Sequence, residues 1–219
     1  MSKRILYSVC ITIGLLTLAA CRPAPTPTPV PLPTPSPVAP AESPTPAKGR
    51  VLLVIAPQDF RDEEYARPRE VLESAGYAVI VASRSRETAR GMLGMRVQPD
   101  LLLSEARAAD YDAVVFVGGS GAQTYWDDPQ AHQLAQEAAA AGKVVAAICI
   151  APVILARAGV LEGKQATVFD PPSLCAELTA HGATCTGASV QRDGRTVTAS
   201  GPQAAEDFAR AILAALEEP

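Results

Sequence analysis

Histidine is nearly absent from this chain. Its 219 residues hold two, His132 and His181, together with a single tryptophan and 5% aromatics. Two histidines cannot furnish a histidine-rich metal cluster, and the five cysteines form no C-x-x-C pair, so neither a metal nor any other cofactor is expected. Basic clusters are also missing. Residues 48–219 carry 16 Lys and Arg against 22 Asp and Glu, a net of −6 with no basic run, which makes nucleic acid a poor partner. No apolar run is long. The run from Ile5 to Ala20 falls short of the roughly 20 residues a spanning helix needs.

That same short run has a positive start, Lys3 and Arg4, and ends in "LAAC", Leu18 to Cys21. A charged beginning followed by a short apolar stretch reads as a secretory signal over residues 1–20. The ending resembles the lipobox of bacterial lipoproteins, in which the thiol of Cys21 carries diacylglycerol. The expected location is therefore the extracytoplasmic side of a cell membrane, held by lipid at Cys21. Residues 22–47 form a stalk in which eleven of the 25 residues from Pro23 to Ala47 are proline. Proline fixes φ and removes the N–H donor, so this segment reads as polyproline II, about 3.1 Å per residue and roughly 80 Å at most.

Residues 48–219 suit one domain. Apolar runs "RVLLVIA", "YAVIVAS", "YDAVVFVGG" and "KVVAAIC" alternate with helical patterns that begin at "DEEYARP", "DPQAHQL" and "APVILAR". The helix after "RVLLVIA" turns Val71 and Leu72 inward and stops at Gly76. Further on, "QATVF" reads as a short strand, "PPSLCAELTAHG" as a helix, "ASVQRDGRTVTAS" as a hairpin turning at Asp193-Gly194, and the C-terminal residues as an amphipathic helix. Repeated β-α units of this kind predict a doubly wound, mainly parallel α/β sheet with helices on both faces and a ligand site at the carboxyl ends of its strands.

The stretch "AAICIAP", Ala146 to Pro152, puts a thiol where a strand becomes a helix. There, helix N–H groups and the helix dipole favour an anion, so the Cys149 thiol is expected below its usual ~8.5, within about 3.5–7.5. A buried cysteine that only fills space is the alternative. Cys10 departs with the signal. Cys175 and Cys185, ten apart, are candidates for a disulfide in an exported domain.

Four segments, "FRDEEYARP", "YDAVVFVGGSGA", "AAICIAPVILARAGVLEGKQAT" and "DGRTVTASGPQAAEDFARAI", give the domain a resemblance to the ThiJ/PfpI family of the class I glutamine amidotransferase-like superfamily. The resemblance implies a flavodoxin-like sheet, a reactive elbow cysteine at Cys149, and a glutamate that hydrogen-bonds it, Glu64, four residues before Pro68. It also implies backbone donors at Gly119 and Ile150. Where family peptidases carry histidine directly after the elbow cysteine, this chain has Ile150. Where other members supply a histidine near the strand after the elbow helix, it has Phe169 and Asp170. His132 and His181 are expected on a solvent face and at a helix end, so a cysteine peptidase is disfavoured.

Glu64 beside a thiolate suits addition to a small reactive carbonyl and proton shuttling. The implied activity is of the glyoxalase or deglycase type, with a small-molecule substrate such as methylglyoxal. The competing readings are an oxidant sensor that stabilises a sulfenate or sulfinate, and a chaperone or ligand-binding domain without turnover. Asp62 and Glu63 are expected to be solvated or capping residues. Tyr125 and Trp126 either wall the pocket, with Asp170, or pack in the core. Family members are often dimeric, so a homodimer is one expected assembly.

Overall fold

The structure, a computed structural model, describes residues 47–169 and 172–218. Cys21, nearly all of the stalk, and Asp170 lie outside the described residues. The elements run β1 (Arg50–Val54), β2 (Gln58–Phe60), α1 (Asp62–Ser74), β3 (Ala78–Ser83), β4 (Ala89–Gly91), β5 (Arg96–Val97), β6 (Leu101–Leu102), β7 (Ala113–Phe116) and α2 (Pro129–Ala140). They continue with β8 (Val144–Ile148), α3 (Pro152–Arg157), β9 (Gln165–Ala166), α4 (Pro172–Ala180), β10 (Thr184–Cys185), β11 (Val190–Asp193), β12 (Thr196–Ala199) and α5 (Ala205–Glu217).

Seven strands form the main sheet in the order β11-β12-β8-β7-β1-β3-β6. All neighbours are parallel except the β11–β12 hairpin. Its register pairs Asp193 with Thr196, which leaves Gly194 (φ +59°) and Arg195 as the two-residue loop, one position later than the sequence suggests. Strands β1, β7 and β8 are continuous apolar runs because both of their faces are covered, and residues 51–54, 113–116 and 144–148 are all buried.

From β1 the chain crosses to β3 on one side, whereas from β7 it crosses to β8 on the other. Right-handed crossovers then place α1 and α2 on opposite faces. Helix α5 packs on α1, β8 and β12, and α2 packs on β7, β8 and α3. The strand order thus reverses beside β1 and β7, the point where doubly wound sheets hold ligands. In α1, Leu72 is fully buried but Val71 only half-buried. One region has no counterpart in the sequence reading. Residues 84–110 add β4 and β5 to β2, making a small three-stranded sheet, and supply the short edge strand β6.

Candidate active site

Strand β8 delivers Cys149 in a left-handed conformation, φ +63°, a shape that non-glycine residues rarely adopt and that marks functional turns. Three backbone hydrogen bonds hold it there. Cys149 N–H donates to Ala199 C=O at 2.9 Å, Phe169 N–H donates to Cys149 C=O at 2.8 Å, and Ala151 N–H donates to Ile148 C=O at 3.1 Å. The thiol is free and buried. The helix behind it is short, Pro152–Arg157, and its first residue has no N–H. The donors that reach the sulfur are the backbone N–H groups of Gly119 and Ile150.

Glu64 occupies the first turn of α1 and is fully buried. Its Oε2 accepts the Gly118 N–H at 3.1 Å. Oε1 is buried with no hydrogen-bond partner, and the carboxyl and the Cys149 thiol are close enough for each to shift the other's ionisation. The glycine pair after β7 makes this packing feasible. A Cβ on Gly118 would lie 2.5 Å from both Cys149 Cβ and Glu64 Oε2. Gly119 has φ +91°, and a Cβ there would lie 2.4 Å from Arg61 N. Arg61 N–H in turn donates to Gly118 C=O at 3.0 Å, joining the start of α1 to the glycine pair.

Burial pushes the Glu64 carboxyl up to about 8, against the pull of the thiol, the Arg61 guanidinium and the Gly118 N–H. The carboxyl is therefore protonated at neutral pH. Burial and the charge of Glu64 push the Cys149 thiol up to about 12, outweighing the Gly119 and Ile150 donors. This corrects the expectation of a thiol lowered by the helix: the donors are present, but desolvation and the carboxylate are stronger. Two acids in contact lose their protons in sequence, and the first loss belongs to the pair. The raised thiol describes the second loss, with Glu64 already charged.

The sulfur opens into a cavity of about 270 Å³. Glu64, Cys149, Gly119 and Ile150 are its buried floor, Arg61 and Pro202 are half-buried in its wall, and Met92, Ser120, Gln123 and Phe169 are the exposed residues of its rim. Tyr125 and Trp126 do not line it. Tyr125 is buried in the core, where its hydroxyl donates to Ile55 C=O at 2.9 Å and accepts the Arg84 N–H at 3.0 Å. Trp126 buttresses the elbow from outside the cavity, its Nε1–H donating to Ile150 C=O at 3.2 Å. His132 Nε2 pairs with Trp126 C=O and His181 Nδ1 with Glu177 C=O, and neither imidazole lines the cavity. Glu63 forms a two-pronged ion pair with Arg61. Asp62 is not solvated: it is buried, accepting the N–H groups of Leu93 and Met95, each at 2.8 Å. Cys175 and Cys185 are joined, their Cα atoms 5.6 Å apart. Among the described residues no group of three or more His, Cys, Asp or Glu could hold a metal.

Sequence reasoning missed Arg61, Met92, Ser120, Gln123 and Pro202. Met92 reaches the cavity from a turn, and Ser120, Gln123 and Pro202 from the short 3-10 helices Ser120–Tyr125 and Pro202–Ala204, too brief for periodicity to carry a signal. The glycine pair announced the wall, but nothing marked the turn that carries Met92.

A parallel doubly wound sheet with a strained thiol elbow, a buried glutamate from the first helix and a glycine pair from the central strand defines a class I glutamine amidotransferase-like domain. Within that class the chain belongs to the DJ-1/PfpI family, whose model matches residues 49–215. An uncharacterised protein of Methanocaldococcus jannaschii is 42% identical over 170 residues, covering 77% of this chain and 83% of that protein. A deglycase of Pyrococcus abyssi is 34% identical over 153 residues, 70% of this chain and 90% of its own. The crystal structure of a ThiJ/PfpI domain protein from Brachyspira murdochii superposes with a TM-score of 0.73 at 39% identity, covering 76% of this chain and 95% of that one.

Proposed function

We propose that the domain is an enzyme of glyoxalase or deglycase type that adds the Cys149 thiol to small reactive carbonyls. The observation that carries the reading is the buried Glu64–Cys149 pair with the Gly119 and Ile150 N–H groups at the sulfur. Similarity to the deglycase of Pyrococcus abyssi supports it. The reacting form is the pair that has shed one proton to solvent, a thiolate beside protonated Glu64. Sγ bonds to the aldehyde carbon, the π pair moves to oxygen, and that oxygen takes the Glu64 proton, giving a hemithioacetal and a Glu64 carboxylate. Glu64, now a carboxylate, removes the proton from the former aldehyde carbon and delivers one to the neighbouring carbonyl carbon. The first carbon is oxidised to a thioester and the second reduced to an alcohol. Water then releases a 2-hydroxy acid and restores the thiol. The reaction needs no external oxidant and no histidine, only a carboxyl that changes protonation near neutral pH.

The test is turnover of methylglyoxal with identification of lactate. Wild type should produce it, while Cys149→Ser and Glu64→Gln should each lose at least ~100-fold, the scale of general acid–base catalysis. Full activity in Cys149→Ser would overturn the reading. The unpartnered Glu64 Oε1 favours a second reading, an oxidant sensor in which the protonated carboxyl donates to a sulfinate. Mass addition at Cys149 with peroxide, without dicarbonyl turnover, would select it.

We further propose that Cys21 is lipidated and that the stalk holds the domain on the outer side of a membrane. The "LAAC" ending and the proline-rich segment support this. So does the Cys175–Cys185 disulfide, which suits an oxidising compartment. Among the described residues no helix is long and apolar enough to cross a membrane. Fatty-acid label should be lost in Cys21→Ser; equal labelling would reject the anchor.

A further inference from the structure

Among the described residues, the large apolar side chains left exposed are Met92 at 44%, Leu93 at 63% and Phe169 at 44%. Two of the three, Met92 and Phe169, line the cavity that holds the thiol. They share its mouth with the exposed polar Ser120 and Gln123. Apolar and polar side chains gathered over one buried floor are the arrangement of a ligand pocket rather than scattered surface residues. Both are held in place. Phe169 is tied to the elbow by its own N–H on Cys149 C=O. Met92 sits on a turn whose N–H groups, Leu93 on one side and Met95 on the other, are taken by the two oxygens of Asp62. A Cβ on Gly91 would lie 2.4 Å from Asp62 Oδ2, so the turn is pressed onto that carboxylate.

We infer that Met92 and Phe169 form an apolar collar on this mouth that selects carbonyl compounds carrying an aryl or branched alkyl tail, and that Asp62 is its positioning residue. The inference rests on the carbonyl chemistry proposed for the floor, but it concerns the tail that points away from it. The cavity, about 270 Å³, lies just under the roughly 300–1,000 Å³ of ordinary small-ligand pockets. A three-carbon dicarbonyl leaves much of it to water, whereas an aryl group covers Met92 and Phe169. A tail bearing a carboxylate fits less well, because the cation in the wall, Arg61, already holds Glu63 through two hydrogen bonds.

The test separates the collar from the turnover chemistry. Alkylation of Cys149 in the full chain is measured with N-phenyliodoacetamide and with iodoacetamide, and each rate is divided by that of free cysteine. The same proteins are assayed for kcat/KM with phenylglyoxal and methylglyoxal. Wild type should favour the aryl reagent and the aryl substrate by about tenfold or more, the scale one well-packed apolar group supplies. Met92→Ser and Phe169→Ser should each lower both ratios by roughly tenfold, Met92→Leu should restore the aryl preference, and Asp62→Asn should lower it through KM rather than kcat. A normalised alkylation ratio near one in wild type, or a ratio unmoved by Met92→Ser and Phe169→Ser, overturns the collar even where methylglyoxal is turned over. An aryl preference in alkylation with neither dicarbonyl consumed upholds the collar and removes the carbonyl-enzyme reading instead.

Discussion

The indole N–H of Trp126 donates to the backbone carbonyl of Ile150 at 3.2 Å, the residue whose own N–H reaches the Cys149 sulfur. The Arg157 guanidinium covers the outer face of the indole, 5.3 Å from its centroid, and is itself held by Asp127 and Glu177. Trp126 therefore acts on the elbow from behind. Trp126→Phe keeps a ring under Arg157 and removes the donor. We expect a loss of ~1 kcal/mol, read as a melting temperature lowered by about 2–4 °C, and slower alkylation of Cys149. Unchanged melting and unchanged alkylation would show that the bond does not brace the elbow.

Gly118 tests the packing of the site more sharply. Its added Cβ would approach Cys149 Cβ, Glu64 Oε2 and the Ile148 carbonyl at 2.5, 2.5 and 2.7 Å. Cys149 Cβ and the Ile148 carbonyl cannot yield; the Glu64 carboxyl is a side-chain end, and it is the group that must move. Gly118→Ala should cost about 1–3 kcal/mol through overpacking and should move Glu64 away from the sulfur, suppressing thiol chemistry more than stability. A variant as active and as stable as wild type would mean that the pair tolerates separation.

Much of this was legible in the sequence, for identifiable reasons. Strands buried on both faces read as unbroken apolar runs, and Asp128, Gly76 and Gly142 punctuated the helices where the structure ends them. Glu64, Cys149, Gly119 and Ile150 were legible because their spacing matched a known pattern, and the structure brings all four to one cavity floor. Of the rim, Phe169 was legible by its place in that pattern, but Met92 was not. Met92 reaches the cavity only because Asp62, thirty residues earlier, holds its turn, and a long-range carboxylate-to-backbone contact leaves no periodic trace. Trp126 stays undecided between pocket wall and core in the sequence for a related reason: an aromatic near the glycine pair is visible there, but not the direction in which it points. The thiol's ionisation was misjudged because local donors can be read from an elbow, whereas the depth of burial that opposes them cannot.

The Cys175–Cys185 link closes a short connection between α4 and β10. A loop of this length contributes roughly 2–3 kcal/mol by restricting the unfolded chain. Treatment with a dithiol, or Cys175→Ser with Cys185→Ser, should lower the unfolding free energy by that amount, read as a lower denaturation midpoint. A midpoint that does not move under reduction would show the link to be dispensable for stability.

Glu64 makes stability depend on pH in a defined direction. Its carboxyl is held up at about 8 in the fold against an ordinary 4.5. Between those values the folded protein keeps a proton that the unfolded chain has released. Stability is therefore unaffected by this group below about pH 4.5, falls as pH rises through the window by up to ~1.4 kcal/mol per unit, and carries the full cost above pH 8. Urea denaturation of wild type and Glu64→Gln at pH 5, 7 and 9 should give curves that diverge as pH rises, with the variant gaining. Parallel curves would mean that Glu64 ionises normally in the fold.

The same pair fixes how the thiol should titrate. With Glu64 beside it, thiolate absorbance should appear in two steps: a lower one near pH 8, when the pair sheds its first proton, and an upper one near 12, when the thiol ionises against the carboxylate. Gln at position 64 preserves the Gly118 N–H contact through its carbonyl and offers an N–H to the sulfur, but it never carries charge. Glu64→Gln should therefore collapse the titration to one step, below the upper step of wild type because the repulsion is gone. The rate of Cys149 alkylation should follow the same profile, rising twice in wild type and once in the variant. A single step at the same pH in both proteins would mean that carboxyl and thiol do not share a proton, and the shuttle assigned to Glu64 would fall with that result.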